Sequence, residues 1–365
     1  MTSPNATANA ARGLPWALLC GLIFAAGAGG WAMELAGADP ARAWRALLIN
    51  FVFFTPLAAG MATWPAIVHL SRGQWLGSLR ATGLSAWAFA PASLVAFAGL
   101  WAGREYWASW LHEPHLHNAA WLNAQALFGR DLAAIVIFWT LAAAYAALAR
   151  RGRLTKPLAG VLVLAYALTF SLLGMDLVMA LDPHWYSTLF AWYFMISGLY
   201  AAVAAWTLVS LIARPAAIEI RQRQDLGKLI VAFSLLTVYM MYSQLLPIWY
   251  ENLPEEVRFV IPRLKDAPWP LVSAALLAVV YLGPLVLLLP RRAKENPVAL
   301  GAVAALAMVG LWFERWWLVT PTLGGPMVVG WPEASITGAF AAAGVLCVRW
   351  ALRRATPAME QEPPA

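Results

Sequence analysis

Hydrophobic positions run along this chain in long, uninterrupted stretches, separated by short polar or charged segments. About ten stretches are long enough to cross a hydrocarbon core of roughly 30 Å at about 1.5 Å per residue. A membrane β-barrel would instead show segments of about ten residues with alternating polarity, so helices are the only candidates. The pattern predicts an all-α, polytopic integral membrane protein whose helices pack as bundles. We place the helices at 15–37, 44–68, 83–103, 124–148, 158–181, 186–212, 226–250, 269–289, 297–319 and 332–352.

Composition and charge agree with this fold class. The chain is 62% hydrophobic and 12% charged, and it contains 21 Trp, which is atypical of soluble domains. Its net charge of +7 does not indicate nucleic-acid binding, because 17 of the 25 Lys and Arg residues fall on one side of the membrane. By the positive-inside rule that side is cytoplasmic, and both termini lie there. We expect a disordered N-terminus at 1–14, a ten-helix domain at 15–352 and a cytoplasmic tail at 353–365.

The sequence has no motif for a covalently bound cofactor. Cys20 and Cys347 lie inside apolar stretches as packing residues, and no CxxCH motif for haem attachment occurs. His112, His115 and His117 form an HxxHxH pattern in a proline-interrupted loop, which favours a solvated loop or a subunit contact over a metal site. We therefore predict no metal site, and any electron carrier, such as a haem or an iron–sulfur cluster, would belong to partner subunits or be diffusible.

The stretch GMDLVMALDPHWYSTLFAWYFMISGLY at 174–200 places ionisable side chains at the junction of two apolar segments. An ionisable side chain in hydrocarbon costs at least about 2.5 kcal/mol, so Asp176 needs a partner, a water-lined cavity or a function. Helical spacing puts two hydroxyl groups on its face of the helix. The candidate site residues of this region are Asp176, Asp182, His184, Tyr166 and Thr169.

Two further polar features accompany this stretch. In DLGKLIVAFSLLTVYMMYSQLLPIWYENLPEE, Gln244 shares one helix face with Ser234, while Tyr239 and Tyr242 lie on another. Polar groups on more than one face predict a helix that is surrounded by protein or lines a cavity. His69, near the cytoplasmic end of the second helix, is expected among the lipid headgroups.

Four carboxylates fall in the outer third of the bilayer, at depths of roughly 5 to 11 Å. Either they form a site that exchanges protons with the outer compartment, or they pair with Arg130 and Arg315 in a structural network. Arg130 and Asp131 are adjacent on a helix and point about 100° apart, so each needs a partner elsewhere. The four are Glu34, Asp131, Asp176 and Glu314.

The two long motifs, together with GLWFERWWLV, resemble the second large membrane subunit of alternative complex III, a bacterial quinol:cytochrome c oxidoreductase. The family's DPHW-type turn falls at 182–185, its SQ…WY.NLPEE element at 243–256, and Glu314 stands where related chains commonly have Asp. The resemblance implies a subunit of the bacterial inner membrane. It also implies three kinds of partner: a homologous ten-helix subunit, an iron–sulfur subunit and multihaem cytochrome c subunits.

We therefore expect a membrane subunit of a quinol-oxidising respiratory complex that is not catalytic alone. It would contribute to quinone binding, to proton transfer near the outer face, or to both, with quinone or quinol as the candidate non-covalent ligand. The alternative is a membrane anchor for the electron-transfer subunits with no chemistry of its own. An independent transporter fits less well, because the charged residues lie away from the midplane.

Overall fold

The computed structural model describes residues 4–113, 118–324, 328–355 and 357–361, with side chains from residue 16 onward except at 357. His115 and His117 lie outside these residues. Within the described part, ten helices are long and apolar enough to cross a membrane, and no strand occurs. The predicted all-α polytopic fold is therefore confirmed. The helices are α1 (Pro4–Leu35), α2 (Pro40–Leu70), α3 (Ser78–Ala102), α4 (Ala124–Arg150), α5 (Lys156–Leu177), α6 (Phe190–Ala213), α7 (Ile220–Glu251), α8 (Trp269–Leu287), α9 (Pro297–Val319) and α10 (Trp331–Leu352).

Helix α2 is the centre of the bundle, and its whole apolar window is buried. It packs against α5, α6, α9 and α10, whereas α1 lies at the edge and packs mainly on α10. Small residues permit the close approach of α2 to its neighbouring helices. At Gly60 a Cβ atom would lie 3.3 Å from the Tyr166 hydroxyl oxygen, and at Gly198 it would lie 2.8 Å from the same atom. These two glycines let α2, α5 and α6 meet around Tyr166.

Two helices depart from regular α geometry. In α3 a 3₁₀ turn at Ala86–Phe89 separates two α-helical segments. Helix α8 contains a π-helical segment at Leu276–Leu282. Helix α6 begins at Phe190, four residues later than predicted, because 182–189 form the connecting turn. The π-helical segment matters for the site, because its Tyr281 donates a hydrogen bond to Glu314.

Successive helices cross in alternate directions, so the structure has two ends. We call the end with the loops at 150–156 and 290–296 and with the C-terminal tail the basic face, and the other end the opposite face. The assignment of the basic face to the cytoplasm and the limits of the terminal segments stay predictions.

Two expectations concern the surroundings of particular side chains. Helix α7 is covered on one side only within this chain: Gln244 is 3% exposed, whereas Tyr239 and Tyr242 are each 59% exposed. His69 is 5% exposed and its Nδ1 lies 3.0 Å from the Tyr145 hydroxyl, so it is buried within this chain, and its position among the lipid headgroups stays a prediction. Spacing along one helix could not reveal which neighbouring helix covers each face.

Candidate functional site

A buried ion pair joins the beginning of α4 to the end of α5. Nε of Arg130 donates to Oδ2 of Asp176 at 2.8 Å, and Asp176 is 1% exposed. The indole Nε1 of Trp121 donates to Oδ1 of the same carboxylate at 2.8 Å, and the Arg130 guanidinium lies 3.9 Å from the Trp121 ring centroid. Asn123 caps α4 through two backbone N–H groups of its first turn. The loop before α4 and both helices thus hold the Asp176 carboxylate in place.

Asp131, the next residue on α4, is fully buried. Its carboxyl group lies within hydrogen-bonding reach of Asp176, but neither of its oxygens has a donor among the described residues. An ionised carboxylate only accepts hydrogen bonds, so the two carboxyl groups can bond to each other only when one of them carries a proton. Arg130 supplies the one positive charge and is bonded to Asp176. Arg130, Asp131 and Asp176, which we call the acidic cluster, therefore hold more carboxyl groups than cations.

Two hydroxyl groups continue the polar face of α5 below the acidic cluster. Oγ1 of Thr169 donates to the carbonyl oxygen of Ala134 at 3.3 Å, which ties α5 to α4. Tyr166, one turn further, is 1% exposed and interacts electrostatically with Arg315 on α9. The hydroxyl groups lie where the helical spacing from Asp176 places them, and they extend toward a second buried site.

This second site is centred on Glu314, which is fully buried between α6, α8 and α9. Its Oε1 accepts hydrogen bonds from the hydroxyls of Tyr193 and Tyr281, the latter at 2.7 Å. Its Oε2 lies 3.2 Å from Nη1 of Arg315. Tyr281 belongs to the π-helical segment of α8, a type of irregularity that is frequent at functional sites. We call these four residues the Glu314 cluster.

Arg315 is held on several sides. Its Nη2 donates to Oγ of Ser197 at 2.6 Å, and its guanidinium lies 4.2 Å from the Phe194 ring centroid. One cation faces one carboxylate here, so the charges of the Glu314 cluster balance. The acidic cluster and the Glu314 cluster thus differ in formal charge although both are buried.

Glu34 and Gln244 belong to neither cluster. Glu34 is half-buried at the end of α1 and interacts electrostatically with Arg42. Gln244 is buried, and its side-chain carbonyl oxygen has no hydrogen-bond partner among the described residues. The structure therefore does not group these two candidates with the buried aspartates.

Asp182 lines a surface cleft of about 420 Å³ on the opposite face, and so does Glu113, the partner of His184. Oδ2 of Asp182 accepts from Nε of Arg258 at 2.7 Å, and Nε2 of His184 lies 2.7 Å from Oε2 of Glu113. Both pairs are partly exposed. The DPHW turn therefore anchors surface loops and does not enter the buried clusters.

Arg263 lines the same cleft and is 2% exposed, although the sequence does not single it out. Its guanidinium donates to the carbonyl oxygens of Phe259 at 2.6 Å, of Trp317 at 3.3 Å and of Leu318 at 2.7 Å. The last two lie at the C-terminal end of α9, where carbonyl groups lack partners within the helix. Burial lowers the pKa of Arg263 to about 9, so the side chain is still a cation at neutral pH. Arg263 therefore caps α9 rather than carrying protons.

A fourth buried carboxylate, Glu333, was not among the sequence candidates. It is 5% exposed, and Oε1 accepts from Nε of Arg42 at 2.8 Å. Its Oε2 accepts from the backbone N–H of Gly330 at 2.7 Å, so it also caps α10. A glutamate three residues after the N-cap residue of a helix is a recognisable capping signal, which could have identified it. Trp121, Tyr193 and Tyr281 had no such signal, because indole and phenol side chains are common throughout this sequence.

No group of three or more His, Cys, Asp or Glu side chains in the described residues could hold a metal ion.

Comparison with models of known protein families finds no match, and no curated protein is significantly similar in sequence.

Proposed function

We propose that this chain is a membrane subunit of a respiratory quinol:cytochrome c oxidoreductase of the alternative complex III type, and that it transfers protons near the face opposite its basic loops. One observation carries the proposal: in the acidic cluster two buried carboxyl groups, Asp131 and Asp176, face a single guanidinium. The choice of complex is supported by the stretches at 174–200 and 243–256, which resemble the second large membrane subunit of alternative complex III.

In this role the basic face is cytoplasmic and the membrane is the bacterial inner membrane. The partners are a homologous ten-helix subunit, an iron–sulfur subunit and multihaem cytochrome c subunits, which carry the haems and clusters. Quinone or quinol is the non-covalent ligand of the complex. Proton transfer by the acidic cluster does not require quinone to enter this chain.

The charge count explains why the acidic cluster suits proton transfer. With one proton shared between Asp131 and Asp176, the cluster is neutral together with Arg130. Loss of that proton leaves one uncompensated negative charge in a buried site, which is unfavourable. The cluster can therefore release the shared proton when the charge nearby changes, and it can take up a proton from a donor nearby. The hydroxyls of Thr169 and Tyr166 can accept and donate hydrogen bonds along the same face of α5.

The test is the purified complex with Asp131→Asn, with subunit content measured on the same preparation. We expect the rate of proton release, in vesicles oxidising quinol, to fall by about a hundredfold or more, which is within the range of acid–base effects on rates. Asp225→Asn is the matched control, because Asp225 pairs with Lys228 at the surface of the basic face. Unchanged proton release in an intact complex would contradict the proposal.

A second candidate function is a membrane anchor without chemistry. The observation in its favour is that Asp176 and Glu314 both have arginine partners, as structural ion pairs require. On this account Asp131→Asn leaves quinol oxidation and proton release unchanged, and Asp176→Asn reduces the content of partner subunits. The same preparations therefore separate the two functions.

A further inference from the structure

A buried polar group near the basic face is not used by the proposed proton transfer. The group consists of His69 on α2, Tyr145 on α4 and Arg80 on α3, which are 5%, 0% and 1% exposed. Nδ1 of His69 lies 3.0 Å from the Tyr145 hydroxyl, and Arg80 interacts electrostatically with Tyr145. His69 is buried although Ser71, only two residues later, is exposed. Something near the end of the bundle therefore separates the imidazole from the aqueous phase.

The C-terminal segment at 357–361 contacts this group through Arg80. Its 3₁₀ turn at Pro357–Met359 packs against α3 and α4, the helices of Arg80 and Tyr145. Met359 is 3% exposed and belongs to the hydrophobic core.

Two polar contacts flank the buried methionine. Nη1 of Arg80 donates to the backbone carbonyl oxygen of Gln361, and Nη1 of Arg214, just after α6, pairs with Oε1 of Glu360. The segment is thus attached to α3, α4 and the end of α6 by one apolar anchor and two charged groups.

We propose that the segment at 357–361 is a plug that closes the basic face over the His69–Tyr145 pair. Water and reagents reach His69 from this side only when the plug is released. Arg80 links the two parts, because it interacts with Tyr145 on one side and binds Gln361 on the other. Release needs the loss of the Arg214–Glu360 ion pair, of the hydrogen bond from Arg80 to the Gln361 carbonyl oxygen and of the Met359 anchor. This inference concerns the other end of the bundle and does not depend on the proposed function.

The test measures how fast diethyl pyrocarbonate, which acylates accessible imidazoles, modifies each histidine of the full chain, with mass spectrometry of the peptides. His184, half exposed at the opposite face, is the internal standard. In the unaltered protein we expect His69 to react far more slowly than His184. Deletion of residues 357–365 should raise the rate at His69 at least tenfold and leave His184 unchanged.

Point variants keep the test valid if the deletion impairs folding. Glu360→Arg should raise the rate at His69 several-fold by opposing Arg214, and adding Arg214→Glu should restore protection by reversing the pair. Gln361→Ala is the matched control, since Arg80 binds its backbone carbonyl and not its side chain. Equal rates at His69 in the unaltered, deleted and Glu360→Arg proteins would overturn the plug.

Discussion

Asp131 and Asp176 occupy one cluster but differ in their partners, and this difference fixes what their substitution should do. Asp176 accepts from Arg130 and Trp121, while Asp131 has no donor among the described residues. Asp131→Asn removes a contact between two carboxyl groups and leaves the ion pair intact. Asp176→Asn weakens a buried ion pair and the hydrogen bonds around it. Leaving a buried charge without its partner costs several kcal/mol of stability.

We therefore expect Asp131→Asn to leave the thermal stability of the detergent-solubilised chain unchanged or slightly higher. Asp176→Asn should lower it by about 1–3 kcal/mol, because Arg130 is 23% exposed and water replaces part of what is lost. Thermal unfolding of the two variants side by side measures the difference. Equal destabilisation by both substitutions would mean that Asp131 is as firmly bonded as Asp176, contrary to this account.

At the scale of elements, the π-helical segment of α8 is held against α9 at a glycine. A Cβ atom at Gly310 would overlap the side chain of Val280, the residue before Tyr281. Gly310→Ala should therefore displace Tyr281 from Glu314 and destabilise the chain by about 1–3 kcal/mol, as overpacking does. Gly301→Ala on the same helix is the control, since its Cβ would make an ordinary contact at 3.6 Å with Leu211. A tolerated Gly310→Ala with the Tyr281–Glu314 bond retained would show that the interface is not tightly packed.

The ion pair between Arg42 and Glu333 connects the beginnings of α2 and α10. Both N–H···O contacts are 2.8 Å long, and the Glu333 side chain is 7% exposed. A double-mutant cycle with Arg42→Gln and Glu333→Gln should give a coupling energy of about 1–3 kcal/mol in thermal unfolding. If the effects of the two substitutions are additive, the coupling energy is close to zero. The contact would then resemble exposed ion pairs, which contribute little to stability.

How far the sequence predicts these elements depends on the kind of information each needs. The length of the apolar stretches is a local property, and it located all ten helices of the described part that are long enough to cross a membrane. Contacts between helices are not local: Trp121 reaches Asp176 from 55 positions away, and Tyr193 reaches Glu314 from 121. Helical spacing correctly put Thr169 and Tyr166 below Asp176, but it could not show that Tyr239 and Tyr242 face outward within this chain.

At the scale of the whole molecule, the buried carboxylates lie at one end of the helix bundle. In the described part of the chain, the buried Asp and Glu side chains are Asp131, Asp176, Glu314 and Glu333, and each lies near the end of its helix at the opposite face. The basic face has His69 and Arg80 instead. A proton path through the entire membrane would therefore need groups other than carboxylates in the basic half. The asymmetry agrees with proton exchange at one face.

The central claim is that Asp131 and Asp176 share one exchangeable proton. Infrared spectroscopy of the solubilised chain in H₂O and D₂O tests it directly, because a protonated carboxyl group has a carbonyl band that an ionised carboxylate lacks. We predict one carbonyl band of a buried carboxylic acid that shifts in D₂O, disappears in Asp131→Asn and persists in Asp225→Asn. An unchanged carbonyl region in Asp131→Asn, in a folded protein, would contradict the shared proton and with it the proposed role of the cluster.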